Sequence, residues 1–324
     1  MGAGVSQSAG LPLAQALLAA VAEETLKAPE RAELDEFLEY LMPRFHKDLA
    51  NYPDVEEFLS LLEVAESYAQ FSRAGLAFRR RRLSKLRRTF LAGLAAYLWR
   101  GHESLTPDHP IALLAACLKR DDTVITFNYD LTIERALDNL GTHWGYRREL
   151  RPITVLKPHG SIDWFHADEV DAGRPGFSEL LTDLTQVKGR KSPARRLGRR
   201  PPLIVPPVVG KLVEHPDLQD IWGEASAALI RADAIYILGY SLPEADRLTR
   251  LVLRHAVGIR SRSKSGNIWA VNPDRRLHER FDHCISPEVR FLEQPFERWV
   301  EIFHEREVAL AGVVAQQGRA EGSP

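Results

Sequence analysis

Hydrophobic positions fall into two textures along the chain. Over the first third, apolar residues recur three and four apart: Leu13, Leu17, Leu18 and Val21; Leu34, Phe37, Leu38 and Leu41; Phe58, Leu61 and Leu62; Leu91, Leu94 and Leu98. That is the period of one helix face, and strand signal is scarce there, so the spacing predicts an all-helical insertion over residues 28–118. From Asp121 onward short β-rich runs take over, at residues 123–127, 153–156, 203–205, 234–238 and 268–271. Continuous apolar strands are buried on both faces, which predicts a parallel sheet covered by helices. The expected fold is therefore α/β, a doubly wound (Rossmann-like) parallel sheet formed by residues 1–27 and 119–310.

Two segments depart from this pattern. Residues 168–202 are rich in Gly, Pro, Lys and Arg with one short apolar stretch, and read as a surface excursion with partial order. The tail at 311–324 offers little to bury and is expected to be disordered.

Composition adds limits to this picture. With 44% hydrophobic and 27% charged residues in 324, the chain has the make-up of a soluble globular protein. A formal net charge of -1 gives no global attraction to nucleic acid or to an anionic membrane. Cys117 and Cys284 are the only cysteines, so this sequence holds neither a disulfide framework nor a four-thiolate zinc site. There is no basic-then-apolar leader pattern and no apolar run near membrane length, and the cytoplasm is the expected location.

In open parallel α/β sheets ligands bind beyond the carboxyl ends of the strands. The predicted strands end in Asn128-Tyr129-Asp130, Lys157-Pro158-His159-Gly160-Ser161, Gly239-Tyr240-Ser241 and Asn272-Pro273-Asp274. At the N-terminus, Gly2, Ala3, Gly4, Val5 and Ser6 precede a helix, so their amides are candidates to face a diphosphate. Each feature has a plainer reading when taken singly. Asn128, Asp130 and Ser6 could cap helices, His159 could be a satisfied histidine in a glycine turn, and Ser241 and Asn272 are common turn residues.

Their joint order resembles the sirtuin-like family over most of the chain outside the helical insertion. The resemblance rests on Gly-Ala-Gly-Val-Ser continuing to Gly10-Leu11-Pro12, on Asn128-Tyr129-Asp130, on His159-Gly160, on Gly239-Tyr240-Ser241 and on Val271-Asn272. The forms Thr-Phe-Asn-Tyr-Asp, His-Gly-Ser-Ile-Asp-Trp and Gly-Tyr-Ser-Leu-Pro look closer to the bacterial sirtuin-like NAD hydrolases of anti-phage defence than to protein deacetylases. Deacetylases carry a four-cysteine zinc module and a Phe-Arg after the Gly-Ile-Pro. Here two cysteines are too few, and Pro12 is followed by Leu13-Ala14.

The resemblance implies NAD as substrate, no metal, and cleavage of the nicotinamide–ribose bond to nicotinamide and ADP-ribose. It implies that Asn128 holds the ribose and positions water, and that His159 acts as general base, histidine being the side chain whose neutral form is available near neutral pH. Asp130 would take the nicotinamide carboxamide or orient the loop. Gly2, Ala3, Gly4 and Ser6 would cradle the diphosphate, with Gly239 and Ser241 closing the same region and Asn272 on the adenosine ribose. A homo-oligomer is expected, with a neighbouring-gene ATPase or a trigger protein as further partner. The alternatives left open are a non-catalytic NAD or ADP-ribose binding subunit, an ADP-ribosyltransferase and a deacylase.

Other patterns carry less. Arg79 to Arg82 with Lys85, Arg87 and Arg88 flank Leu83, Leu86, Phe90 and Leu94 at helical spacing, which reads as the solvated basic face of an amphipathic helix. Trp144, Trp164 and Trp222 read as core or pocket-wall residues. One oddity concerns the glycine loop, which in such a fold follows a buried strand, whereas Gly2 follows only Met1. A central strand of about five residues upstream is therefore expected.

Overall fold

The computed structural model describes residues 1–42, 45, 51–71, 79–102, 105–146, 152–166, 177–179, 184–187, 201–206, 216–263 and 267–321. It is a mixed α/β protein. After α1 (Ala3–Ser6) and a 3₁₀ turn (Gln7–Ala9) come α2 (Ala14–Glu24), α3 (Ala28–Leu41), α4 (Val55–Phe71), α5 (Arg80–Leu98), a second 3₁₀ turn (Trp99–His102) and α6 (Pro110–Cys117). Strands then alternate with helices: β1 (Thr123–Ile125), α7 (Thr132–Asn139), β2 (Trp144–Gly145), β3 (Ile153–Leu156), β4 (Trp164–His166), β5 (Phe177–Glu179), β6 (Leu184–Val187) and α8 (Pro216–Arg231). The chain finishes with β7 (Ile235–Leu238), α9 (Arg247–Ser263), β8 (Ile268–Val271), α10 (Leu277–Cys284), β9 (Arg290–Leu292) and α11 (Phe296–Glu321).

Local signals explain the helix starts. At α3 the Glu30 carboxylate reaches back to accept the Lys27 N–H at 2.8 Å, and Pro29 sits in the first turn, where a missing N–H costs nothing. At α6 Pro110 opens the helix and His109 Nδ1 accepts the Ile111 N–H at 3.2 Å.

Two parallel three-stranded sheets form, in the orders β1-β3-β2 and β7-β8-β9, and a third, antiparallel sheet has the order β4-β6-β5. All four residues of β3 are buried, as expected of a strand covered on both faces. The apolar run 203–205, expected as a parallel strand, is not one: Ile204 makes only an isolated antiparallel bridge to Gly160. Burial demands the same residues in either arrangement, so the apolar pattern could not tell a strand from a clasp. Within the segment expected as an excursion, β6 pairs back onto β4 and β5 onto β6, while most of the remainder lies outside the described residues. Residues 311–321 of the expected disordered tail continue α11 instead, and 322–324 lie outside the described residues.

The helices from α2 to α5 share one apolar core, with Phe37 against Phe58 at 6.1 Å and Phe58 against Phe90 at 4.7 Å between ring centroids. Tyr129, Leu131, Ile162 and Ile204 belong to that same core, so the helical layer rests directly on the loops at the strand ends. By contrast α6 packs on α7 and α11, and its Ile111, Leu114 and Ala115 join the core of β1 and β3. The basic face of α5 meets acids on neighbouring helices: Arg82 pairs with Glu33 at 3.1 Å and with Glu36, Lys85 with Glu33 at 3.3 Å, and Arg87 with Glu66 at 2.8 Å. Among the described residues no single helix is long and apolar enough to cross a membrane.

Candidate functional site

The glycine segment docks between the two parallel sheets. Met1 N donates to Ile125 O at 2.6 Å and Met1 O accepts from Phe127 N at 3.0 Å, while Gly2 N donates to Leu238 O at 3.0 Å. Gly4 N donates to Gly239 O at 2.9 Å. Two of the amides expected to cradle a diphosphate therefore hold the segment to the end of β7, and residues 3–6 form a helical turn rather than an open loop. Gly239 makes this approach feasible. It has φ of 57°, and a Cβ there would lie 2.6 Å from Val5 N.

Asn128, Asp130 and Ser6 converge on this turn. Asn128 Nδ2 donates to Gly2 O at 3.0 Å and to Ser6 Oγ at 2.8 Å, and Ser6 Oγ donates to Asp130 Oδ2 at 2.7 Å. The other oxygen of Asp130 accepts from Thr132 N at 3.0 Å and Thr132 Oγ1 at 2.7 Å at the start of α7. Asp130 thus does two jobs, starting a helix and orienting Ser6. Linked donors and acceptors polarise one another, so the Asn128–Ser6–Asp130 chain fixes the amide plane of Asn128.

His159 sits in the turn after β3 and is 4% exposed. The following Gly160 has φ of 85°, and a Cβ there would lie 2.1 Å from Leu203 O, so the turn tolerates only glycine. Residues 203–205 clasp it, with Ser161 N donating to Leu203 O and Val205 N to His159 O, both at 2.9 Å. Phe127 and Trp222 flank the imidazole, with ring centroids 5.3 and 6.0 Å away. His159 Nε2 lies 3.6 Å from Asp246 Oδ2, and among the described residues the buried Nδ1 has no hydrogen-bond partner.

Asp246 was not singled out from the sequence. It caps α9, its carboxylate accepting from Thr249 N at 3.2 Å and Thr249 Oγ1 at 2.7 Å. It also accepts from Tyr240 Oη and faces His159. Burial opposes its ionisation, but the facing imidazole of His159 and the hydrogen bonds from Thr249 and Tyr240 outweigh burial and hold the carboxyl below its ordinary range.

Beneath the site Lys157, wholly buried, donates to Asp130 O and to Glu134 Oε1, the latter at 2.9 Å. Burial raises the Glu134 pKa against the pull of Lys157. The remaining sequence candidates lie further along the same strand ends. Ser241 is exposed and its carbonyl accepts from Arg280 Nη1 at 3.1 Å; Asn272 Oδ1 accepts from Asp274 N at 2.9 Å. Gly2, Gly4, Ser6, Asn128, Asp130 and Gly239 are thus in mutual contact, His159 joins them through Phe127 and Tyr240, and Ser241 and Asn272 make contacts of their own.

The helical layer adds Glu56, in the first turn of α4, which no sequence pattern marked. Its pKa is raised to about 7, by burial first, with His159 opposing and Asp246 and Asp54 adding to the shift. Beside it the buried Tyr129 hydroxyl has no hydrogen-bond partner among the described residues. Between the unfolded value near 4.5 and about 7 the folded chain holds the extra proton, so this group's contribution falls as pH rises and its penalty is complete above 7. Replacing Glu56 by glutamine is expected to stabilise the protein at pH 8 by up to about 3 kcal/mol, and to make no difference at pH 4. Denaturant titrations of both proteins across this range would measure it.

No protein-family model matches this chain, and no curated protein matches it.

Proposed function

We propose that this chain belongs to the class of α/β proteins that bind a nucleotide beyond the carboxyl ends of a doubly wound parallel sheet. The particular reading is a sirtuin-like NAD hydrolase, of the style found in anti-phage defence. The observation that carries it is the buried Nδ1 of His159, without a hydrogen-bond partner among the described residues, at the strand ends that also hold the Asn128–Ser6–Asp130 chain. A buried polar atom without a partner is costly in a finished protein, and a hydroxyl-rich ligand such as a ribose would satisfy it.

In this reading water attacks the anomeric carbon as the bond to the nicotinamide nitrogen breaks, the bonding pair leaves with nicotinamide, and the water's proton passes to His159. The products are nicotinamide and ADP-ribose. The centre at the transition state resembles an oxocarbenium ion, as in glycoside hydrolysis, so positioning of the ribose and water dominates. Asn128, with its amide nitrogen committed to Gly2 O and Ser6 Oγ, offers its amide oxygen to that water or to the ribose. His159 takes the proton, oriented by Asp246 in the manner of a carboxylate–histidine pair. Residues 2–6 and Gly239 line the diphosphate side, with the Gly2 and Gly4 amides already spent on Leu238 O and Gly239 O, and no metal is needed.

Nicotinamide release from NAD is the test, with and without the products of neighbouring genes. Asn128→Ala is expected to lower turnover at least about 100-fold while leaving folding intact. Turnover that survives both Asn128→Ala and His159→Ala would reject the site. Tight NAD binding without turnover in calorimetry would instead mark a regulatory subunit.

A further inference from the structure

Among the described residues the two parallel sheets do not pair with each other, and β1 is an edge strand of the first and β7 an edge strand of the second. Between them runs a cavity of about 630 Å³, walled by residues 121–125 and 233–238 and floored and roofed by apolar side chains that include Leu114, Trp222, Ala225, Val252 and Trp299. At its upper end the chain already bridges the gap. Met1 bonds to Ile125 O and Phe127 N on one side, and Gly2 to Leu238 O on the other.

These bonds set a register. In a parallel ladder a residue donates to the carbonyl before its opposite number and accepts from the amide after it. Met1 therefore lies opposite Thr126 on the β1 side, and Gly2 opposite Gly239 on the β7 side. Both edges agree that residues running into Met1 would lie opposite Ile125, Val124 and Thr123, and opposite Ile237, Tyr236 and Ile235. Alternation supports the same geometry. The amides of Ile235 and Gly239 go to β8, at Asn267 O and Val271 O, and that of Thr126 to Leu156 O of β3. The amides of Tyr236, Leu238 and Ile125 therefore face the cavity.

We propose that this cavity is the seat of a further parallel strand, an apolar segment of about five residues that leads directly into Met1 and joins the two sheets into one of order β2-β3-β1-strand-β7-β8-β9. The chemistry of the walls selects this occupant over a small ligand. Two opposed strand edges with inward-facing amides are satisfied by another backbone, as in strand addition. The apolar faces above and below call for Val, Ile or Leu at every position, because the strand is covered on both sides. Tyr236 is 37% exposed in the strand, its ring stacked on Trp269 at 5.0 Å, a large apolar surface left open where the missing strand would run. The α-amino group of Met1 donates to Ile125 O inside the fold and burial lowers its pKa to about 5, a burden that an uncharged peptide N–H in its place would not carry.

The test extends the full chain by five residues immediately before Met1. One extension is Val-Val-Ile-Val-Leu, the second replaces alternate residues by Thr to keep β propensity at lower apolarity, and two controls are Gly-Ser-Gly-Ser-Gly and Val-Pro-Val-Pro-Val. Calorimetry and amide hydrogen exchange are the readouts. Either β-forming extension is expected to raise Tm by about 5 °C or more over both controls and to slow exchange at Ile125 and Leu238. The proline control matches apolarity but lacks the donors of a ladder, so it separates strand pairing from mere filling. Equal Tm in all four, or unchanged exchange at Ile125 and Leu238 in the β-forming pair, would overturn the proposal. So would protection of those amides by NAD in the unextended chain, which would make the cavity a ligand site. None of these readouts depends on NAD turnover.

Discussion

Lys157→Met is expected to destabilise the protein by about 3–5 kcal/mol. Lys157 is wholly buried and donates to Glu134 Oε1 at 2.9 Å and to Asp130 O. Methionine fills similar volume, so the cost comes from charge and not from a cavity. It leaves the Glu134 carboxylate, 2% exposed, with the Tyr146 hydroxyl at 3.2 Å as its remaining donor. An unpaired buried charge must either bear its desolvation or take up a proton. Combining the substitution with Glu134→Leu is expected to restore most of the loss, because an apolar pair of like volume often matches a buried ion pair. Denaturant midpoints of wild type, single and double variants form the measurement. A double variant as unstable as the single one would show that the pair is not the source of the cost.

Asp246→Asn is expected to lower NAD cleavage by about 100-fold or more with little loss of stability. Asparagine caps helices as well as aspartate does, so with its amide oxygen in the place of Oδ1 the Thr249 N–H keeps its acceptor and α9 its start, while the NH2 group takes the place of Oδ2, where the Tyr240 and Thr249 hydroxyls can turn to accept. What disappears is the negative charge facing His159 at 3.6 Å, which in the proposed reaction would orient the ring and stabilise the imidazolium formed when the water's proton arrives. In that reading Asp246 is a positioning residue. The Asp246→Asn variant should lose kcat more than KM, and its pH–rate profile should change on the limb that reports His159. Acid stability gives a second readout. The depressed carboxyl contributes stability that is complete above its unfolded value and is lost as pH falls through the lower folded value, so Asp246→Asn should flatten the acid limb of the unfolding curve. A variant with full turnover and an unchanged profile would reduce Asp246 to a helix cap.

Much of the site was legible in the chain because strand ends carry compact polar signatures. Asn128, Asp130 and Ser6 stand out by type and by place, and they meet through hydrogen bonds of 2.7 and 2.8 Å. Asp246 was hidden in plain view, since an aspartate before a helix is fully explained by capping. Glu56 carried no signal at all. It reaches the site only because the helical layer packs Tyr129 and Ile162 of the strand-end loops into its own core. Lys157 was visible as a residue but not as a buried one, because lysine is almost always exposed and only a partner such as Glu134 reverses that preference.

The same division explains the fold. Helical spacing and short apolar runs determined where α2 to α5, β1, β3, β7 and β8 form, since each element's own faces are written in its own residues. Composition also determined that two cysteines cannot build a disulfide framework or a thiolate zinc centre. Only the tertiary structure decided that residues 203–205 clasp the His159 turn instead of pairing as a parallel strand, that His159 turns one nitrogen to Asp246 and leaves the other without a partner among the described residues, and that β1 and β7 face each other across a cavity. Each of those outcomes depends on which distant segment supplies the second half of a contact. Periodicity records that a face must be buried, and packing alone selects what buries it.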